Sequence, residues 1–427
     1  MSRQGEAALA TGSLWTATSV QDEYPALDHD LDVDFAVIGA GFTGLSAALH
    51  LAEAGARVVV IDAHAPGWGA SGRNGGQVIP GLKKGPKITV DAEVARAIAA
   101  GTDSAGYLYR LIARLGVDCD AAQGGWAQLA ATEKALRPLR EKCESPAGRA
   151  EGLTLIGPEE IKRRLGVSGY VGGLFDARAG TVHPMKLAIG LARAAAQAGA
   201  AIHGGSPALR IEGEPGAITV TTPGGAIRCG VAIAGPNGYA DNLLPTLRRA
   251  VVPVISAQVA TDPLPEEIRP TVMPGGVAAS DIRRLTCYFR SDAEGRLVMG
   301  GRGGFRAGAN QALFADLRRT AERLFPQVRG HAVWRHAWGG RVAMTLDGLP
   351  RLVSPRPGVF AGYGYNGRGV ALSVLMGREL AARALGRKDA DCAFPLTGIR
   401  QVPFHRLRNA GVALTVRAYR AMDRMGI

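Results

Sequence analysis

Three glycines, Gly39, Gly41 and Gly44, stand in the spacing G-x-G-x-x-G between an apolar run, Val33 to Ile38, and a stretch where Leu45, Ala48, Leu49 and Ala52 recur at helical spacing. Their chemistry is the cradling of a pyrophosphate. The first glycine permits a tight turn, the second lets backbone approach the phosphates, and the third lets helix and strand pack closely. The amides of the helix's first turn, from Phe42 and Thr43 onward, then face negative charge. Asp62, 18 residues beyond Gly44 and followed by Ala63, ends a second β-rich run from Arg57 to Ile61. It is placed to accept hydrogen bonds from a ribose, and no Arg follows it to welcome a 2′-phosphate. These residues alone leave NAD and FAD both open.

The elements that must position them read as strand, glycine turn, helix and strand, with Gly55 ending the helix. A glycine-rich loop from Gly67 to Gly81 follows, then helical text at Ala92–Leu115, Pro158–Leu165 and Pro184–Ala198. Ala201–His203, Ala208–Glu212, Ala217–Thr221 and Ile227–Ala234 alternate with turn signals, and Val251 to about Trp338 reads as an antiparallel sheet carrying one helix, Gln311–Leu324. Val359–Gly362 and Gly369–Leu385 return as strand and helix behind another glycine loop. The fold class expected is α/β with an α+β second domain. A doubly wound, Rossmann-like domain is built from residues 30–90, 150–245 and 350–390, and an antiparallel-sheet domain from 91–149 and 246–349. A basic C-terminal segment, 391–427, completes the chain.

Composition bounds the function. With 427 residues, 47% hydrophobic and 20% charged, the chain is globular and neither disordered nor membrane-spanning. The first twelve residues carry no secretory signal, so a cytoplasmic address is expected. The formal charge is +13, with 42 of the 50 cations Arg, scattered without the stripe that nucleic acid would require. Five cysteines without a C-x-x-C pair indicate neither a zinc site nor a disulfide framework. His183 lacks a second ligand at useful spacing and reads as a structural histidine beside the helix-starting Pro184, so no metal is expected.

What separates the two cofactors is the loop GWGASGRNGGQ, Gly67 to Gln77. With it the sequence resembles the D-amino-acid-oxidase-like superfamily of FAD-dependent amine oxidoreductases, and within it the γ-glutamylputrescine-oxidase-like branch. The likeness runs through SLW at Ser13–Trp15, VAIAGPNGYADNLLP at Val231–Pro245, YFRSDAEGRLVMGG at Tyr288–Gly301, WGGRVAMTLDGLPRL at Trp338–Leu352 and GYGYNGRGVALS at Gly362–Ser373. It implies FAD as cofactor, held by Ala70, Ser71, Arg73, Asn74, Gly75, Gly76 and Gln77 along its pyrophosphate and ring edge. Leu209 and Gly235 join this set, and Gly364, Asn366 and Gly367 form a late loop that stabilises charge on the reduced ring. For the substrate or oxygen side it offers Tyr288, Arg290 and Tyr365.

Two departures from the family pattern bear on substrate and acceptor. Members that oxidise α-amino acids carry an Arg for the substrate carboxylate in the segment matching WGGRVAMTLDGLP. Aligning Asp347, Gly348 and Pro350 puts Val342 there, with Arg341 one residue early and, on a strand, facing the other way. Sarcosine-oxidase-like members use a Lys near the flavin, and no Lys stands between Lys186 and Lys388. Arg290 is the substitute cation, for a remote carboxylate or for oxygen. The resemblance thus implies oxidation of an amine C–N bond to an imine, then hydrolysis to aldehyde and free amine, with γ-glutamylated polyamines leading. A secondary-amine or N-methyl amino-acid dehydrogenase or oxidase is the alternative, and a non-catalytic flavin-bearing subunit the alternative of another class. The acceptor, oxygen or a quinone or carrier protein, stays open. The tail from Arg400, with six Arg and one Asp, either packs on the protein's own surface or lies on a membrane.

Overall fold

The computed structural model describes residues 12–83, 92–303 and 310–425. Eleven of the first twelve residues, read above as carrying no secretory signal, and the boundary expected at 90–91 lie outside them. In chain order the elements that position the site are β1 (Phe35–Ile38), α1 (Phe42–Glu53), β2 (Val58–Ile61), α2 (Ala92–Leu115), β3 (Trp126–Ala130), β4 (Thr154–Ile156), β5 (Gly172–Asp176), α3 (Pro184–Gln197), β6 (Ala201–His203) and β7 (Val231–Ala234). They continue with β8 (Val252–Thr261), β9 (Ala278–Asp281), β10 (Cys287–Ser291), β11 (Leu297–Gly303), α4 (Asn310–Leu324), β12 (Trp334–Met344), β13 (Arg351–Arg356), β14 (Val359–Tyr363), α5 (Gly369–Ala384) and α6 (Arg408–Met425).

Two large sheets carry the molecule. The first has the order β13-β14-β7-β1-β2-β6 and is parallel except where β13 turns back on β14. Its central strands are continuous runs, FAVI and VVVI, buried at every position because α1, α3 and α5 cover one face and a small sheet carrying Ile211, Ile218, Val220 and Ile227 packs on the other. Leu45, Leu49, Leu187, Leu191, Leu372 and Leu375 of α1, α3 and α5 form the main core against it. The second sheet has the order β12-β8-β11-β10-β9-β3-β5-β4 and is antiparallel except where β9 runs alongside β3. Phe289, Met299, Phe314 and Phe325 pack α4 onto its outer face. Its inner face turns toward the first sheet.

The segment boundaries expected from the sequence need correction at three places. β5 pairs with β3 on one side and β4 on the other, so the chain from 154 to 176 belongs to the second sheet, not the first. Helix α2 goes the other way: its Ala105, Leu108, Leu111 and Ile112 join the core of α1 and α5. An amphipathic stripe specifies that a face is buried, not which sheet buries it. The run read as one strand, Ile227–Ala234, is two, Ala226–Cys229 and β7, which break at Gly230 and enter different sheets.

The basic tail forms α6, where Val412, Val416 and Tyr419 are half-buried and Leu414 is 69% exposed. Among the described residues no helix is long and apolar enough to cross a membrane.

Candidate functional site

A cavity of about 1390 Å³ lies between the two sheets, larger than the roughly 300–1,000 Å³ of an ordinary small-molecule pocket. At one end is the turn from β1 into α1. Gly39 takes φ +104°, a left-handed value that only glycine adopts without strain. A side chain on Gly44 would collide with the Gly39 carbonyl, so that glycine sets helix–strand contact instead of lining the cavity. Gly41 caps α1 without a side chain, and a Cβ there would stand 2.9 Å from Ser71 Oγ, which accepts the Phe42 amide at 2.9 Å. The positive end of α1 therefore opens onto the cavity.

Asp62 stands beside this turn. Its Oδ2 accepts the Ala40 amide at 2.7 Å and its Oδ1 the His64 amide at 2.9 Å. Burial nevertheless pushes its carboxyl up to about 6, the two amides opposing that shift. Each oxygen keeps further acceptor capacity for hydroxyl donors. Ala63, Leu209 and Gly235 line the same end.

The loop 70–77 is held from behind by its carbonyls. Trp15 Nε1 donates to Asn74 O at 2.8 Å, while Trp338 Nε1 and Gln258 Nε2 donate to Arg73 O at 3.0 and 2.5 Å. In a trans peptide the carbonyl and the next amide point in opposite directions, so the Gly75 N–H points away from the Trp15 indole that holds Asn74 O. Asn74 locks the turn through its side chain, donating to Ser71 O and accepting from the Gly76 amide. Ala70, Ser71, Arg73, Asn74, Gly75 and Gln77 line the cavity. Gly76 does not: it sits at φ +65° under Val182 and Arg290. The guanidinium of Arg73 stacks 4.0 Å from the Trp68 ring.

Across the cavity the late loop carries three left-handed residues, Gly364, Asn366 and Gly367. Asn366 Oδ1 accepts the Thr345 amide, and Asn237 Oδ1 accepts the Gly364 amide at 3.1 Å. Asn366 and Gly367 line the cavity at the N-terminus of α5, whereas Gly364 is packed against Thr345. Tyr365 belongs to the wall, yet its hydroxyl is bonded to Thr43 Oγ1 at 2.7 Å. It ties the late loop to the start of α1 and does not offer a phenol to substrate.

The inner face of the second sheet forms the remaining wall. Register places Gln128, Ser280, Tyr288 and Gly300 in one row across β3, β9, β10 and β11. The Tyr288 ring lies over Gly300 and against Gly75, and its hydroxyl meets Ser256 Oγ at 2.7 Å.

Arg290 is on the same face two residues on, but it does not line the cavity. Its row ends in Val298 and Ala260, which Leu14, Trp15 and Met185 cover. The guanidinium donates to Val182 O at 2.7 Å and Gly76 O at 3.2 Å, bracing the flavin-type loop from underneath. That corrects its placement on the substrate or oxygen side. Val342 and Arg341 both line the cavity, so Arg341 is not wholly turned away from it; its guanidinium packs over the Tyr239 ring and reaches Asp241 at 3.5 Å. His183 caps α3, accepting the Lys186 amide at Nδ1, with Nε2 2.9 Å from Thr18 Oγ1.

Sequence reasoning missed the two indole braces, although SLW and WGG were on the page, and it missed Arg302. That residue lines the cavity from β11, one row beyond Tyr288, opposite Ser256.

A family model described as FAD dependent oxidoreductase, DAO, matches residues 34–383. The chain belongs to this family. It is an FAD-dependent oxidoreductase. A "Probable oxidoreductase OrdL" of Rhizobium meliloti is 35% identical over 389 residues, covering 89% of this chain and 90% of that one. The gamma-glutamylputrescine oxidoreductase of Escherichia coli is 31% identical over 417 residues, covering 95% and 96%. Among solved structures, glycine oxidase from Geobacillus kaustophilus superposes with a TM-score of 0.73 at 23% identity, over 87% of this chain and 100% of that one. The residues described fit FAD: a side-chain-free cradle at Gly41, the Asp62 carboxylate beside that turn, Gly75 lining the cavity without a side chain, and a second helix N-terminus at Gly367–Gly369.

Proposed function

We propose that this FAD-dependent oxidoreductase oxidises the C–N bond of an amine whose carboxylate lies far from the reacting carbon, with γ-glutamylated polyamines as the leading class. The observation that carries this reading is Val342. It lines the cavity on β12, at the position where the family resemblance puts an Arg for the carboxylate of an α-amino acid, and an aliphatic side chain there offers such a group no bidentate partner. The gamma-glutamylputrescine oxidoreductase likeness supports the same choice.

FAD supplies the two-electron acceptor for the hydride that leaves the amine's α-carbon. The chain's own residues position and exclude. Tyr288, flat between Gly300 and Gly75, walls the reacting carbon with an aromatic face, its hydroxyl already bonded to Ser256. Gln128 and Ser280 extend the wall with groups that can hydrogen-bond a polar chain. No protein base needs to take a proton from carbon, because a neutral amine gives up hydride directly. Water then converts the imine to aldehyde and free amine.

The test is anaerobic bleaching of the flavin by a panel of amines. γ-Glutamylputrescine should reduce it faster than alanine or proline. Fast reduction by alanine or proline, with no response to γ-glutamylputrescine, overturns the reading.

A further inference from the structure

The second sheet sends two arginines to its inner face on either side of Tyr288, and their surroundings differ. Arg290 is spent on backbone carbonyls. Arg302 is half-buried, lines the cavity, and among the described residues has no ion pair and no hydrogen bond through its guanidinium. Its reach is known at one point: Nη2 comes within 3.9 Å of where a Cβ on Gly367 would stand. It therefore spans from β11 toward the late loop, across the part of the cavity that Tyr288 borders.

The other arginines on this cavity are tied. Arg73 is stacked on the Trp68 ring, Arg341 has Asp241 and the Gly238 carbonyl, Arg368 the Pro80 carbonyl, and Arg248 the Asn242 amide oxygen. Asp281, the carboxylate closest along the sheet to the Tyr288 row, is already taken by Arg283. The titrating groups that act on Arg302 are two phenols, Tyr288 from its own sheet and Tyr419 from α6, and burial draws its basicity down. A guanidinium withdrawn from water without an anion is costly, and the cost is recovered when an anion arrives.

We propose that Arg302 is the specificity-determining residue that takes the substrate's remote carboxylate, resting on the amine-oxidising reading above. Arg suits this task because its planar fork meets both carboxylate oxygens. The site it makes differs from the α-carboxylate position in the family. Val342 is on β12 at the sheet edge, opposite Val254, whereas Arg302 is on β11, opposite Ser256 and one row beyond the tyrosine. A carboxylate bound there is separated from a carbon beside Gly75 by the width of the Tyr288 ring, which selects a chain with several atoms between acid and amine.

The experiment compares holoenzyme carrying Arg302→Met or Arg302→Lys with wild type, all checked for flavin content. Dissociation constants for γ-glutamylputrescine and for putrescine come from anaerobic flavin reduction. Glutarate, which has no amine to oxidise, is titrated by its perturbation of the flavin spectrum, and sulfite affinity reports the electronics of the ring itself. Arg302→Met should cut the preference for γ-glutamylputrescine over putrescine on the order of 30-fold and abolish the glutarate signal, with Arg302→Lys restoring part of both. Sulfite affinity should stay within about twofold of wild type. An unchanged preference overturns the proposal. So does a sulfite affinity that falls together with binding of both amines, which would make the flavin ring the partner of Arg302. If no amine bleaches the wild-type flavin, the amine reading fails, and glutarate binding still decides for or against Arg302.

Discussion

We predict that Asp62 couples cofactor binding to pH. Its carboxyl is raised from 3.8 to about 6 by burial, so the folded protein without cofactor favours the protonated form, and this penalty on stability sets in as pH rises across that interval and is constant above it. Ribose hydroxyls donate only to the ionised form's full acceptor set. FAD affinity should thus rise as pH increases through about 6 and level off near neutrality, while Asp62→Asn should bind FAD more weakly with a flat profile. Fluorescence titration of apoprotein with FAD between pH 5 and 8 checks this; a flat wild-type profile would count against the role. Arg290→Met tests the corrected placement at the same scale. It leaves the buried Val182 carbonyl without its guanidinium donor, a loss of roughly 1–3 kcal/mol. Thermal stability and flavin retention should fall, while reduction and reoxidation per bound flavin stay at wild-type rates. A selective loss of reoxidation would restore Arg290 to the oxygen side. The contrast with Arg302 shows what a strand pattern encodes: alternation puts Tyr288, Arg290 and the β11 cation on one face, but which end of that face is roofed depends on Trp15 and Met185, distant in sequence.

The element that most repays its bracing is the loop 70–77. Its conformation is imposed by donors on three other segments, Trp15, Gln258 and Trp338, acting on two adjacent carbonyls. Trp338→Phe keeps most of the apolar contact and removes one donor, as does Trp15→Phe. Each should weaken FAD binding by about 1 kcal/mol, roughly fivefold, with little change in the apoprotein's helix content. Because both indoles position neighbouring peptides, the double variant should be worse than additive. Hydrogen exchange of the loop amides, together with flavin retention, reads both effects; independence of the two losses would refute a shared brace. At this scale the sequence was legible where local signals suffice: α2 and Pro158–Leu165 have the predicted bounds, and the glycine turn, α1 and β2 follow as written. It was not legible where partners are chosen across the chain. β4 and β5 look like any short apolar runs, and only the pairing of β5 with β3 and of β4 with β5 assigns them to the second sheet.

For the whole molecule, the expectation of interleaved segments follows from motif order alone: β1 and β2, then β6 and β7, then β13 and β14 return to one sheet after excursions into the other. The chain consequently crosses between the sheets several times, and the cavity is walled by both, with Gly39 and Ile61 on one side and Gln128 and Tyr288 on the other. A dinucleotide occupying that cavity binds only when the two walls are folded and facing each other. Its binding free energy then adds to the stability of both sheets together, about 2.7 kcal/mol when free FAD is 100 times its dissociation constant. Apoprotein, lacking this shared ligand, should unfold with probes of the two sheets out of step, whereas holoprotein should unfold in one coincident transition at a temperature that climbs with the logarithm of FAD concentration. Gly41→Val removes the cradle while leaving both cores intact, since its Cβ already approaches Ser71 Oγ and the added methyls occupy the space the pyrophosphate needs. Differential scanning calorimetry of this variant should show the apoprotein pattern at every FAD concentration. A soluble Gly41→Val protein that kept its full flavin, or a wild type whose melting ignored FAD, would mean that the cofactor sits elsewhere than between the sheets.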